Sequence, residues 1–134
     1  MTNQLSFASV YDYGADAILL PVTLRVGSEI VRVDAYLDTG STFCVFKREL
    51  AAALGLVLES GTPLGISTVT GAFMTFGHAL TVETLGYTFD STIYFASHEG
   101  LPRNVLGRRG WLDLVRLGLI QYEGKLYISR YDEE

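Results

Sequence analysis

From Ile18 to Leu37 the chain alternates apolar and polar residues or runs apolar, with β-branched side chains at many positions, and Gly27-Ser28 interrupts it. Alternation with a period of two marks a strand with one buried face, and a two-residue glycine-containing break between two such runs marks a hairpin. Ile18 to Val26 and Glu29 to Leu37 are therefore expected to pair, and the second strand runs directly into Asp38. Phe43-Cys44-Val45-Phe46 reads as a short buried strand. Lys47 to Leu54 is rich in helix formers and stops at Gly55, a residue suited to the left-handed end of a helix, so one short helix is expected there.

Leu64 to Val69, Phe73 to Leu85 and Tyr87 to Phe95 again carry strand residues, broken by Thr70-Gly71-Ala72 and by Gly86. They predict a meander of hairpins. A loop with Gly100 and Pro102 leads to the apolar pair Val105-Leu106 and then Gly107. Trp111 to Leu117 is expected to form a second short helix ending at Gly118. Leu119 to Tyr122 and Lys125 to Ser129, joined through Glu123-Gly124, are expected to close the chain as a hairpin. Closely spaced strands with only one or two short helices point to a mostly β, mostly antiparallel barrel or sandwich rather than to alternating βαβ units.

Composition narrows this picture. The 134 residues fit one domain, 1–134, because two cores of half that size would bury too little apolar surface. The chain is 49% hydrophobic and 19% charged, apolar for a small protein, so a buried subunit interface is expected to absorb the surplus. The apolar run Ala17 to Val22 is far shorter than a membrane span. Residues Met1 to Asp16 hold no Lys or Arg, so no secretory signal is read and a cytoplasmic location is expected. A net charge of −5 with only Arg108-Arg109 as a basic cluster argues against nucleic acid as a partner. Cys44 is the single cysteine, which excludes an intrachain disulfide and a cysteine-based zinc site within one chain; its neighbours Phe43 and Val45 predict a buried thiol. His78 and His98 lack spaced ligand neighbours, so exposed or hydrogen-bonding roles are expected of them rather than metal binding.

The chemistry concentrates at Asp38-Thr39-Gly40-Ser41, which follows Ala35-Tyr36-Leu37 and precedes another apolar strand. A carboxylate on a tight loop in hydrophobic surroundings is expected to be hydrogen-bonded, paired or functional, since burial penalises the ionised form. A second carboxylate beside it would share its proton, leaving one base to activate water and one acid to assist the developing oxyanion, with no metal, cofactor or nucleophilic side chain required. Taken alone, Asp-Thr-Gly is also an ordinary strand-ending turn.

The context adds to the triplet. Strand, Leu37-Asp38-Thr39-Gly40-Ser41-Thr42, short strand and helix are followed by a hairpin around Thr70-Gly71-Ala72-Phe73. Val105-Leu106-Gly107-Arg108 comes later. Over roughly Ile18 to Ile128 this order resembles the retropepsin-like aspartic peptidases, single-domain cellular or bacterial type. The resemblance implies a closed retropepsin-like β-barrel that is half of a two-fold aspartic peptidase, with Asp38 catalytic and Thr39, Gly40 and Ser41 forming the active-site loop. Thr39 is expected to hydrogen-bond across the two-fold axis, and Ser41 to donate to the outer carboxylate oxygen. Thr70, Gly71, Ala72 and Phe73 are expected to form a flap over an extended peptide, while Leu106, Gly107 and Arg108 support the loop from behind.

Many retroviral relatives place an acidic residue two positions after the motif glycine, where it pairs with the late arginine. This chain has Thr42 there, which leaves the partner of Arg108 open. The nearest imitation of the motif, Asp12-Tyr13-Gly14, lacks the following apolar strand and helix. The second catalytic aspartate is thus expected from another copy, making the partners the chain itself, as a homodimer, and an extended peptide or protein substrate. Two other readings stand beside this one: a retropepsin-fold binding or scaffold module without turnover, and a phosphate loop of the actin-like and sugar-kinase type. The phosphate-loop folds need a much longer chain.

Overall fold

The computed structural model describes residues 4–14 and 16–133. In chain order it contains β1 (Ser9–Asp12), β2 (Leu19–Val26), β3 (Glu29–Leu37), β4 (Val45–Phe46), α1 (Arg48–Ala53), β5 (Thr62–Thr68), β6 (Gly71–Thr84), β7 (Tyr87–Ala96), β8 (Val105–Leu106), β9 (Val115–Ile120) and β10 (Lys125–Arg130). Period-two burial is visible along β2, where Leu20, Val22 and Leu24 are buried and Pro21 is exposed. The predicted hairpin forms, with β2 pairing β3 from Leu19↔Tyr36 to Val26↔Glu29. Gly27 supplies the turn with φ +59, a conformation a side chain disfavours.

The larger sheet has seven strands in the order β2-β3-β8-β4-β7-β6-β5, and a further pairing of β2 with β6, Val22↔Thr84 to Arg25↔Thr81, bends it into a ring. Closure removes the edges of the ring strands and encloses Leu20, Leu24, Phe46, Ile93, Phe95 and Leu106, all fully buried. The fold is mostly β and of the retropepsin-like half-barrel kind. Most ladders are antiparallel, as expected, but β3 pairs β8 and β4 pairs β7 in parallel. Those short parallel ladders carry the chain through the middle of the sheet, where the Asp38 loop lies. β5 pairs only with the first half of β6, so the two strands extend from the ring as an arm.

Two segments depart from the sequence reading. Trp111 to Leu117 does not form a second helix: only Leu112–Leu114 makes a single 3-10 turn, and Val115–Ile120 is strand β9. Apolar residues at 111, 114 and 115 imitate helical spacing, but Val115, Leu117 and Leu119 also alternate, and pairing with β10 from Arg130↔Val115 to Lys125↔Ile120 favours the strand. Such tertiary pairing overrides local propensity. The closing hairpin is present, with its first strand starting earlier than expected. The second departure is β1, unassigned from sequence, which pairs with β10 and completes a three-stranded sheet in the order β1-β10-β9. Among the described residues no helix is long and apolar enough to cross a membrane.

Candidate active site

Asp38 follows the last residue of β3. Its backbone N–H donates to the Leu106 carbonyl oxygen at 3.0 Å, continuing the ladder in which Leu37 lies beside Leu106. The Ser41 N–H donates to the Asp38 carbonyl oxygen at 3.1 Å, closing the turn, and the Gly40 N–H donates to Asp38 Oδ1 at 2.9 Å, orienting the carboxylate. A Cβ on residue 40 would stand 3.2 Å from that same Oδ1, so glycine also gives the carboxylate room. The carboxylate is not embedded in apolar surroundings as expected. Asp38, Thr39 and Gly40 are exposed on the single chain, because the loop lies at the surface of the sheet.

Behind this loop runs the segment that starts at β8. The Arg108 N–H donates to the Ser41 carbonyl oxygen and the Arg109 N–H to the Thr42 carbonyl oxygen, both at 2.8 Å, and Phe43 bridges Arg109 in parallel. Gly107 makes the approach possible: a Cβ there would lie 2.2 Å from the Phe43 carbonyl oxygen and 2.8 Å from that of Ser41. Leu106 is fully buried beneath them. Arg108 contributes its backbone, but its side chain is exposed and has no ion-pair partner among the described residues. Ser41 Oγ donates to the Phe43 carbonyl oxygen at 2.7 Å rather than to the carboxylate, so in the single chain this hydroxyl stiffens the loop.

Cys44 is buried behind the loop, with its Sγ accepting the Gly107 N–H at 3.3 Å. Burial pushes its thiol up from 9.0 to about 12, opposed by the Gly107 N–H and assisted by the charge of Asp113. The folded chain therefore keeps this proton where the unfolded chain has lost it. Stability from this group is complete below pH 9 and is lost as pH rises from about 9 to about 12. Urea unfolding across that window should show wild type losing on the order of a few kcal/mol more than Cys44→Ala loses. Thiol reagents at neutral pH should leave Cys44 untouched until the chain unfolds.

Facing the loop is the arm. β5 and β6 meet at a two-residue turn, Val69-Thr70, with Thr68 paired to Gly71. Thr68 Oγ1 accepts the Thr70 N–H at 3.3 Å and donates to the Gly71 carbonyl oxygen at 2.9 Å. Gly71 has φ +141, and Val69 at the tip is fully exposed. Between arm and loop lies a cleft of about 700 Å³ that brings Asp38, Gly40 and Ser41 together with Thr70 and Phe73. Gly71 and Ala72 instead line a recess on the neighbouring face of the arm, and Thr39 lines neither.

Sequence reasoning missed a third wall, formed by His98, Leu101, Pro102 and Arg103 from the loop between β7 and β8. Gly100 and Pro102 marked that segment as a loop, but not which way it faces. The two histidines divide as expected: His98 is exposed, and His78 is buried with Nε2 2.9 Å from the Leu58 carbonyl oxygen.

This half-barrel thus carries a loop-borne aspartate tied to its own glycine and backed by a Leu-Gly-Arg segment. A family model described as Aspartyl protease matches residues 20–109. The chain belongs to that aspartyl protease family, of retropepsin-like type. No curated protein matches the chain.

Proposed function

We propose that the chain is an aspartic endopeptidase whose active centre forms when two copies bring their Asp38 loops together. The observation that carries this reading is the Asp38 carboxylate itself, held by the Gly40 N–H and displayed on the wall of a peptide-sized cleft. Among the described residues it is the only carboxylate on that wall. Amide hydrolysis by carboxylates needs two of them, one to take a proton from water and one to protonate or hydrogen-bond the oxygen of the attacked carbonyl. A two-fold axis through the loop supplies the second from an identical chain. Exposure of Asp38 and Thr39 on the single chain supports this, since both are then free to meet their mates.

The arm supports the second half of the proposal. It closes over an extended peptide, with Thr70 and Phe73 facing the substrate, and excludes water from the dyad. The cleft wall is apolar at Phe43, Ile66, Phe73, Leu101 and Val105, which favours apolar side chains around the cut. Exposed apolar side chains such as Val10, Leu119 and Ile120 on the small sheet are consistent with a surface that is covered in an assembly.

Dilution tests the two-chain requirement. Activity per chain should fall as the concentration drops through the dimer dissociation constant measured by sedimentation. A demonstrated monomer with constant specific activity rules out the shared dyad. A folded dimer that cleaves no peptide in a mixed library points instead to a binding module.

A further inference from the structure

The third wall of the cleft carries a charge that the proposed hydrolysis does not use. Arg103 lies on the segment 97–104, and that segment is fastened at both ends. The Ser97 N–H donates to the Met74 carbonyl oxygen at 2.9 Å, and the Arg48 guanidinium donates to the Ser97 carbonyl oxygen. At the other end Asn104 is buried: its Oδ1 accepts the Lys47 N–H at 2.9 Å, its Nδ2 donates to the Asp34 carbonyl oxygen at 3.3 Å, and its own carbonyl oxygen accepts the Tyr36 N–H at 2.8 Å. Arg103 is therefore presented by a fixed backbone.

Its side chain is also ordered by packing. The guanidinium carbon stands 4.2 Å from the centroid of the Tyr36 ring, within cation–π range. A guanidinium held over a ring can still bind a planar carboxylate through two parallel N–H hydrogen bonds. No carboxylate among the described residues takes that position: the ion pairs there are Arg25–Glu83 and Arg130–Asp132. Arg103 nevertheless lines the same cleft as Asp38.

We infer that Arg103 binds an acidic side chain, Asp or Glu, of the peptide lying in the cleft, so that substrates carry an acidic residue near the cut in an otherwise apolar sequence. The inference rests on the peptidase reading of the cleft and adds a selectivity to it. Arg103 is exposed in the free chain, so the pair is partly screened until the peptide covers it. The expected discrimination is accordingly modest, roughly three- to tenfold for Glu over Gln.

The test uses peptides capped with a C-terminal amide, in which a single Glu, or Gln in its place, is walked along the positions on either side of the cut. With the wild-type chain, kcat/KM should favour Glu at a position on each side of the cut, since each copy contributes an Arg103, and added salt should shrink the preference. Arg103→Gln should remove that preference, and Arg103→Glu should favour Lys at the same positions. The same peptides are titrated onto the Asp38→Asn chain, so binding is read independently of hydrolysis. Equal values for Glu and Gln at every position, or a Glu preference that survives in Arg103→Gln, overturn the assignment. A Glu preference in binding without cleavage by wild type keeps Arg103 and removes the peptidase reading, whereas no binding and no cleavage removes both.

Discussion

Asp38→Asn is expected to lower peptide cleavage by at least about a thousandfold while leaving the chain folded, because it removes the only carboxylate among the described residues of the cleft wall, the group proposed to take a proton from water. Stability should change by no more than about 0.5 kcal/mol. Asp38 is exposed, and the side-chain oxygen of Asn can accept the Gly40 N–H just as Oδ1 does. Thermal unfolding and sedimentation alongside the assay separate lost chemistry from lost structure. Asp12 provides the control. Its Oδ1 accepts the Gly14 N–H at 3.1 Å, the same local arrangement as at Asp38, but it ends β1 on the small sheet and does not line the cleft. Measured well above the dimer dissociation constant, Asp12→Asn should leave kcat/KM within a factor of about two, in line with the small effects usual for surface changes.

Gly107→Ala has the largest expected effect on stability, roughly 3 to 5 kcal/mol, read as a shift of the urea midpoint. The added methyl carbon would lie 2.2 Å and 2.7 Å from the carbonyl oxygen and carbon of Phe43 and 2.8 Å from the Ser41 carbonyl oxygen. All three are backbone atoms in a closely packed sheet and cannot rotate away as a flexible side chain does. Relief requires the two segments to separate, which breaks the bonds from Arg108 to Ser41 and from Arg109 to Thr42 that hold the Asp38 loop. Activity should therefore fall together with stability in Gly107→Ala, whereas Asp38→Asn should separate the two.

The contrast between those variants reflects what the sequence encodes locally. Gly27-Ser28 between alternating runs was enough to place the β2–β3 hairpin, and Gly55 was enough to end α1, because turns and helix ends are set by a few neighbouring residues. The strand character of Val115–Ile120 depends on β10, and that of Ser9–Asp12 on a partner more than a hundred residues away in sequence, so neither carried a clear local signal. Apolar residues at 111, 114 and 115 satisfied a helical period that the sheet then overrode.

The site divides in the same way. Asp38 and Gly40 were legible as a strand-ending turn and Gly107 through the resemblance, and the structure supplies backbone reasons for them: a carboxylate needing an N–H, and two chain segments in contact. Arg103 and His98 were not, since a loop between strands does not state which wall it builds. The hydroxyl of Ser41 also found its acceptor in a backbone carbonyl two residues on, a local competitor that residue type alone does not rank against the carboxylate. Burial of Asp38 was expected from its apolar neighbours in sequence, but Ala35 and Cys44 to Phe46 are the ones buried, while the loop that carries Asp38 is exposed.

The shared dyad is tested most directly by mixing. Wild-type and Asp38→Asn chains are combined at fixed total concentration, allowed to exchange subunits, and assayed against one peptide. If each active centre takes one Asp38 from each of two chains, activity falls as the square of the wild-type fraction, because mixed dimers are inactive. A fall in simple proportion to the wild-type fraction would mean that each chain carries a complete centre of its own, and would contradict the account.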